Sequence, residues 1–470
     1  MKHLFTAVLG AILLTGAWAA SAQTLPVLGT FAAGSTTVTV SALTTNLQVP
    51  WELVWGPDNF IWMTERGGRI SRVNPTTGAV TPLTTLADVV TSSEGGLLGM
   101  ALHPDFTTSP YVYVVYNYND NGYKEKLVRL TYANGTLSQP LVLLGNIPAT
   151  STHSGSRLLI LPDRTLLMTT GDAQQQPEAQ NRASLNGKIL RLNLDGTIPA
   201  DNPVAGSPVY TLGHRNPQGL VRSPSGRLYS SEHGPNNDDE LNLIEANRNY
   251  GWPTVEGLCN LSAEQAFCSA NNVREPLSVW TPTLGVSGLA YYTSSAIPAW
   301  QGSLLMLSLK ASRLTQLTLT AAGDAVAGPE QTFLTTFGRL RAICVSPQGR
   351  VYVGTSNQDG RATPGPTDDR ILVLENLAFV PTATVAQKTM PLRLWPNPAQ
   401  HSVTLQLPKA LSRVATAELR DALGRLVYTT QMAVGTTTTT LPLTNLPAGI
   451  YSTQVATTDG HFVQRVVLEH

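Results

Sequence analysis

One pattern recurs about six times along this chain: an apolar stretch, a Pro-Asp or Pro-x-Gly turn, then a short strand rich in β-formers. It occupies Leu53–Glu65, Leu98–Tyr116, Arg157–Thr169, Leu220–Glu232, Leu289–Leu307 and Ala342–Thr355. Several copies are trailed by a further strand, such as Arg69–Val73 or Lys188–Leu192. Each unit is too small to bury its own two faces, so the units must bury them against one another around an axis. The expected fold is all-β, a six-bladed β-propeller over residues 42–378. In such a ring the loops of several blades meet at one channel mouth, so function should draw on residues far apart in sequence.

The length of 470 residues exceeds one ordinary core and leaves room for an appendage. Residues 379–390 read as a polar linker, and 391–470 as a smaller β-sandwich with alternating strands over 402–407, 417–419 and 425–428, turns at 422–424 and 448–449, and a threonine run at 436–440 suited to an exposed strand. Residues 23–41 read as a lead-in. Residues 1–22 read as a signal peptide: Lys2, an apolar stretch from Leu4 to Trp18, then Ala20-Ser21-Ala22. No transmembrane segment is expected in the mature chain. In the oxidising compartment this implies, Cys259 and Cys268 are expected to bridge, while Cys344, in an apolar run, is expected to be buried and inert. Lys plus Arg (31) balances Asp plus Glu (31), which argues against nucleic-acid binding.

The densest polar constellation is Gly213–Gly219 followed by Ser231–Asn242. Carboxylates, amides and carbonyls around the Gly234-Pro235 turn are the oxygen ligands that Ca²⁺ favours. Arg215 offers a fork for a carboxylate or quinone oxygen, and Asn216 both donates and accepts. Arg339 and Arg341 alternate onto one strand face, and Lys310 adds a cation on another blade. His153, in a loop before a blade strand, has the chemistry of a general base near neutral pH.

His153-Ser154-Gly155, the run Asn186–Leu192 with Asp201-Asn202-Pro203, Gly213–Gly219, and Glu240-Leu241-Asn242 through Asn249–Pro253 resemble the soluble PQQ-dependent glucose and aldose sugar dehydrogenases. The likeness runs from about Leu47 to Leu377. It implies a propeller holding PQQ and Ca²⁺ at its channel mouth, with His153 as general base for oxidising the anomeric carbon of an aldose to a lactone. Arg215 and Asn216 would hold the cofactor and polarise its reactive carbonyl. Thr283, Lys310, Arg339 and Arg341 would contact its carboxylates, and Asp239 would lie on its side of the site. Gly234 and Pro235 would ligate one calcium, and Glu240 and Tyr250 a second, structural one. Glu94 and His233 stand where glucose-oxidising members carry glutamine; a carboxylate at 94 must be protonated or paired beside an anionic cofactor.

Leu394–Pro398, Asp421–Arg425 and Leu446–Tyr451 resemble the C-terminal sorting domain of the type IX secretion pathway. This implies secretion or surface display by way of the periplasm, with that machinery as a partner. Electrons would pass to an external acceptor, since no G-x-G-x-x-G unit opens a βα pattern for NAD. Two other classes stay open: a calcium-dependent lactonase or hydrolase using His153, Asp239 and Glu240, and a non-catalytic, calcium-stabilised carbohydrate-binding propeller. The cationic set Arg215, Lys310, Arg339 and Arg341 separates them, being needed for a tricarboxylate cofactor and superfluous for a lactone.

Overall fold

The computed structural model describes residues 25–379, 389–421, 426–444, 446–457 and 460–469. The expected signal peptide, most of the expected linker and the turn at 422–424 lie outside these. The chain divides into two compact units, residues 1–379 and 380–470.

The described part of the first unit is a succession of antiparallel sheets whose first two strands are the sequence repeats. Pro50–Trp55 and Ile61–Glu65 open one, Leu97–Leu102 and Tyr111–Asn119 the next, followed by Leu158–Ile160 with Thr165–Thr170. Pro217–Arg222 with Leu228–Glu232, Val286–Tyr292 with Ser303–Ser308, and Leu340–Val345 with Val351–Thr355 open the remaining three. The opening strand of each sheet touches that of the next, and Leu340–Val345 returns to Pro50–Trp55, so these strands close a cycle. The multiple four-stranded antiparallel sheets are those of a propeller fold.

Both faces of each central strand are buried, which is why the strands read as near-continuous apolar runs rather than alternating ones. Met63 and Ile61 face the Ala342–Val373 side while Trp62 faces Met100 and Val114; Tyr113 and Val115 pack on Leu158 and Met168, whereas Val112 and Val114 pack back on Trp62. Each large side chain so buried contributes roughly 1.5–3 kcal/mol. Hydroxyls on the second strands fasten neighbouring sheets: Thr64 Oγ1 donates to Leu98 O at 2.6 Å, Thr169 Oγ1 to Pro217 O at 3.1 Å, and Ser231 Oγ to Ser287 O at 2.7 Å.

Residues 23–41, expected as a lead-in, contain strand Val27–Ala33 and much of Thr36–Thr44, a hairpin that completes the last sheet beside Ile371–Glu375. One sheet therefore joins the two ends of the cycle. Asp369, fully buried, locks the joint: Oδ2 accepts from the Val49 amide at 3.2 Å and Oδ1 from Thr355 Oγ1 at 3.1 Å. Cys344 is buried in the core between the last and first sheets, which pushes its thiol up. Cys259 and Cys268 form a disulfide across a turn and the helix Ser262–Ala270.

In the second unit, a five-stranded sheet contains Ala415–Arg420, Leu426–Met432, Gly449–Thr457 and Gly460–Leu468, and a three-stranded sheet holds Arg393–Trp395, Ser402–Gln406 and Thr438–Pro442. Val403, Leu405 and Leu441 from the smaller sheet share a core with Ala417, Leu419 and Val455 from the larger. Gly449 begins a strand rather than sitting in a turn, and Ala448 makes the bend. No helix of the described residues is long and apolar enough to cross a membrane.

Candidate active site

Loops from the cycle of sheets enclose a cavity of about 530 Å³. Eleven residues singled out in the sequence line it: Glu94, His153, Arg215, His233, Gly234, Pro235, Asp239, Thr283, Lys310, Arg339 and Arg341. Arg66 and Arg361, which sequence reasoning missed, make six lining cations in all, against the carboxylates Glu94, Asp239 and Asp359. That imbalance suits an anionic ligand.

His153 has a left-handed backbone, φ 59°, an uncommon state for a side-chain-bearing residue and one that the surrounding structure must enforce. Gly171 lies so close behind it that a Cβ there would strike the His153 carbonyl, so only glycine fits. The next residue, Asp172, is fully buried and was not anticipated. Its Oδ1 meets His153 Nδ1 at 2.8 Å and its Oδ2 accepts from Trp252 Nε1 at 2.8 Å. With Nδ1–H donated to Asp172, the His153 Nε2 is left as the free base. The signal for Asp172 was a carboxylate two residues beyond the end of strand Thr165–Thr170, beside a glycine.

Arg215 is positioned by Glu232, which lies in the polar run Ser231–Asn242 but to which the sequence assigns no role. Glu232 Oε1 accepts from the amides of Arg215 and of Asn216, the latter at 3.2 Å, and Oε2 meets His214 Nδ1 at 2.8 Å. The buried carboxylate thus fixes the whole His214–Asn216 turn. Arg215 Nη1 donates to His233 O at 3.2 Å and its guanidinium lies 5.4 Å from the Trp252 ring. Burial lowers its pKa against the pull of Asp172 and Glu232. Asn216 is buried behind the cavity lining, where Oδ1 accepts from the Gly155 amide at 3.0 Å and Gln218 Nε2 at 3.1 Å, tying this turn to the His153 loop.

Arg339 and Arg341 share Asp359, Arg339 at 2.7 Å and Arg341 at 3.9 Å. Burial pushes Arg341 down to about 10, against Asp359. Lys310 Nζ donates to Thr283 Oγ1 at 3.0 Å and has no ion pair among the described residues. Glu94 is paired, which resolves its presence among anion-binding groups: Arg361 Nη2 lies 3.2 Å from Oε1, and the His153 amide donates to Oε2 at 3.3 Å. Burial would raise this carboxyl, but His233, the His153 amide and ring, and Arg341 outweigh it and hold it below its ordinary value. Burial lowers the His233 ring, whose Nε2 contacts Val286 O, despite the neighbouring Asp239 and Glu94. Asp239 is fully buried; it accepts from the Gly234 amide at 2.9 Å and the Gly285 amide at 2.6 Å, clamping two lining loops.

Glu240 and Tyr250 line a separate, narrow cleft that shares Arg215, His233, Gly234 and Pro235 with the cavity and adds Glu232, Asp238 and Glu256. Burial raises the Glu240 carboxyl well above its ordinary value, with Glu232 adding to the rise. Its oxygens accept from the Gly257 amide at 3.0 Å and Asn242 Nδ2 at 2.8 Å. Asn242 Oδ1 beside it is buried without a hydrogen-bond partner, an acceptor suited to a cation. The Tyr250 hydroxyl is committed, donating to Leu243 O at 2.7 Å and accepting from the Glu245 amide at 2.9 Å, so only its backbone is free for an ion. Among the described residues no group of three or more His, Cys, Asp or Glu is arranged to hold a metal, so an ion here would depend on backbone and amide oxygens as well.

A family model described as glucose/sorbosone dehydrogenase matches residues 47–364, and one described as a secretion system C-terminal sorting domain matches residues 393–469. The chain is 32% identical over 345 residues to the aldose sugar dehydrogenase YliI of Escherichia coli K12, covering 70% of this chain and 92% of that one. It is 42% identical over 246 residues to quinoprotein glucose dehydrogenase B of Acinetobacter calcoaceticus, covering 45% of this chain and 52% of that one. The PQQ-bound aldose sugar dehydrogenase of Streptomyces coelicolor superposes with a TM-score of 0.64 at 36% identity, over 72% of this chain and 98% of that one. The cation-lined cavity lies within the matched region, and the chain belongs to the glucose/sorbosone dehydrogenase family, with a C-terminal secretion-sorting domain.

Proposed function

We propose that this protein is a PQQ- and calcium-dependent aldose dehydrogenase, built as a six-bladed propeller with a C-terminal β-sandwich and exported by the type IX route to the cell surface or medium. The observation that carries this reading is the His153–Asp172 pair facing a cavity ringed by cations. Arg215, Lys310, Arg339, Arg341 and Thr283 fit the carboxylates of PQQ, whereas a lactonase or hydrolase would have no use for so many cations. Bound there, PQQ supplies a two-electron acceptor for the hydride from the anomeric carbon, and the electrons pass on to an external acceptor. His153 Nε2 takes the proton of the anomeric hydroxyl, so that the sugar leaves as a lactone. Asp172 keeps the imidazole in the required tautomer and orientation, and Trp252 and the Gln174 amide, 2.8 Å from Oδ1, keep Asp172 in place.

The carbonyls of Gly234 and Pro235 suit a calcium at the cavity, and Glu240, the Asn242 Oδ1 and the Tyr250 backbone suit a second at the cleft. Adding PQQ and Ca²⁺ to the purified protein and following dye reduction over a panel of aldoses tests the reading. Quinone absorbance should appear on the protein and at least one aldose should be oxidised; absence of quinone binding sinks the proposal.

A further inference from the structure

Beside the main cavity, and sharing Leu309, Lys310, Arg339 and Arg361 with it, lies an open groove of about 520 Å³. Its walls carry four cations, Lys310, Arg339, Arg361 and Arg370, against one carboxylate, Asp368. Three of the four have an ion-pair partner: Arg370 has Asp368 at 2.9 Å, Arg339 has Asp359 at 2.7 Å, and Arg361 has Glu94 at 3.2 Å. Lys310 and Arg361 stand at the boundary between groove and cavity. The Arg361 side chain is 55% exposed, and its ion pair with Glu94 spans the mouth from the last sheet's loop to a loop between the first two sheets. Pairs this exposed contribute little and exchange readily. A guanidinium has five N–H donors, so Arg361 can keep Glu94 and still accept a second carboxylate.

An aldose oxidised at its reducing end must send the rest of its chain out through an open side, and this groove is contiguous with the cavity. Phe337, half-buried in the groove wall and packed in part on the core, adds apolar surface for the C–H face of a sugar ring. We propose that the groove extends the active-site cleft and receives a carboxylate carried by the substrate, so that the preferred substrate is an acidic, uronate-bearing reducing oligosaccharide recognised by Arg361. This rests on the main cavity being the site of anomeric oxidation.

The test uses holoenzyme reconstituted with PQQ and Ca²⁺, comparing kcat/KM for a reducing uronate oligosaccharide and a neutral one of equal length. The acidic sugar should be favoured about threefold to fivefold at low salt, the range of a partly exposed ion pair. Arg361→Gln should bring the ratio close to one. Thr336→Glu, an exposed groove position outside the cavity, should reduce turnover of the acidic sugar more than that of the neutral one. Equal kcat/KM in the parent protein, or a preference surviving both substitutions, overturns the proposal. So does a charge effect that follows an anionic electron acceptor such as ferricyanide instead of the sugar. If no aldose is oxidised, the functional reading fails, and calorimetry with a borohydride-reduced uronate oligosaccharide, which has no anomeric centre, still reads the groove. Binding weakened by Thr336→Glu then supports an acidic-glycan site, and no binding refutes it.

Discussion

The two sides of the Gly234-Pro235 turn handle charge in opposite ways. On one side the cavity collects guanidinium and ammonium groups that are only partly compensated: Lys310 has a hydroxyl for a partner, and Arg339 and Arg341 share one carboxylate. On the other, the cleft collects carboxylates whose oxygens are capped by backbone amides, those of Arg215 and Asn216 on Glu232 and that of Gly257 on Glu240. The difference teaches which side is built to receive an anionic ligand and which to fix the loops around it. Cations without full partners keep their electrostatic pull for something that arrives, whereas amide-capped carboxylates have spent much of theirs fixing loops.

The sharpest way to break that comparison is at His153, the imidazole that Asp172 orients on the cavity side. His153→Ala should cut turnover by at least about 10²-fold while leaving quinone binding, read by absorbance, largely intact. Asp172→Asn should follow with about tenfold or more, because an amide can present its own N–H toward Nδ1 and stabilise the wrong tautomer. A pH–rate profile separates orientation from collapse: the variant's profile should shift while its thermal unfolding stays close to the parent. Retained turnover in His153→Ala, or an unmoved profile in Asp172→Asn, would remove the acid-base pair from the cavity.

These two residues also mark how far the sequence could be read. The repeats gave away the sheets because a strand buried on both faces must be apolar throughout, and the spacing of Pro-Asp and Pro-x-Gly turns set the strand pairs. His153 and Arg215 were legible because they sit in dense polar runs and match a known family. Asp172 and Arg361 were not, nor was the role of Glu232 within its polar run, since each acts through a partner 19, 267 or 17 positions away, and only folding brings them together. Asn216 shows the converse: its place in the motif was plain, but the structure buries it behind the lining, where it braces the Gly155 amide. The hairpin at Val27–Ala33 was hidden for a similar reason, because its partner strand Ile371–Glu375 lies at the far end of the cycle.

On the cleft side, if the proposed calcium binds there, Glu240→Gln should remove most of the stabilisation it would give. A ligand at a hundred times its dissociation constant stabilises by about 2.7 kcal/mol, so the parent should melt several degrees higher with saturating Ca²⁺ than with chelator. The variant should gain less than half as much, and its quinone affinity should change far less than its calcium response. Loss of quinone binding in this variant would show that the two sides of the turn are one site.

The smallest expected effect comes from a third way of burying charge, at a residue that lines neither the cavity nor the cleft. Lys188 is fully buried, and its Nζ donates to three carbonyls, Glu178 O at 2.7 Å, Ala179 O at 3.0 Å and Asn186 O at 2.6 Å, with no carboxylate in contact. It is the counterpart of the cleft, an amine capped by carbonyls where Glu232 and Glu240 are carboxyls capped by amides. Burial lowers its pKa to about 7 against the pull of Glu178. Between about pH 7 and the ordinary lysine value near 10.4, the unfolded chain holds this proton and the folded one does not, so stability should rise with pH there. The slope from this one group is at most about 1.4 kcal/mol per pH unit, so roughly 1 kcal/mol should be gained between pH 7 and 8. Lys188→Met should abolish that slope and cost about 1–3 kcal/mol at pH 7, because three buried carbonyls lose their donor. Chemical denaturation of both proteins at pH 7, 8 and 9 reads the difference directly. Parallel stability curves for parent and variant would mean that the carbonyl cage keeps Lys188 charged throughout, and that backbone dipoles alone can replace a counter-ion here.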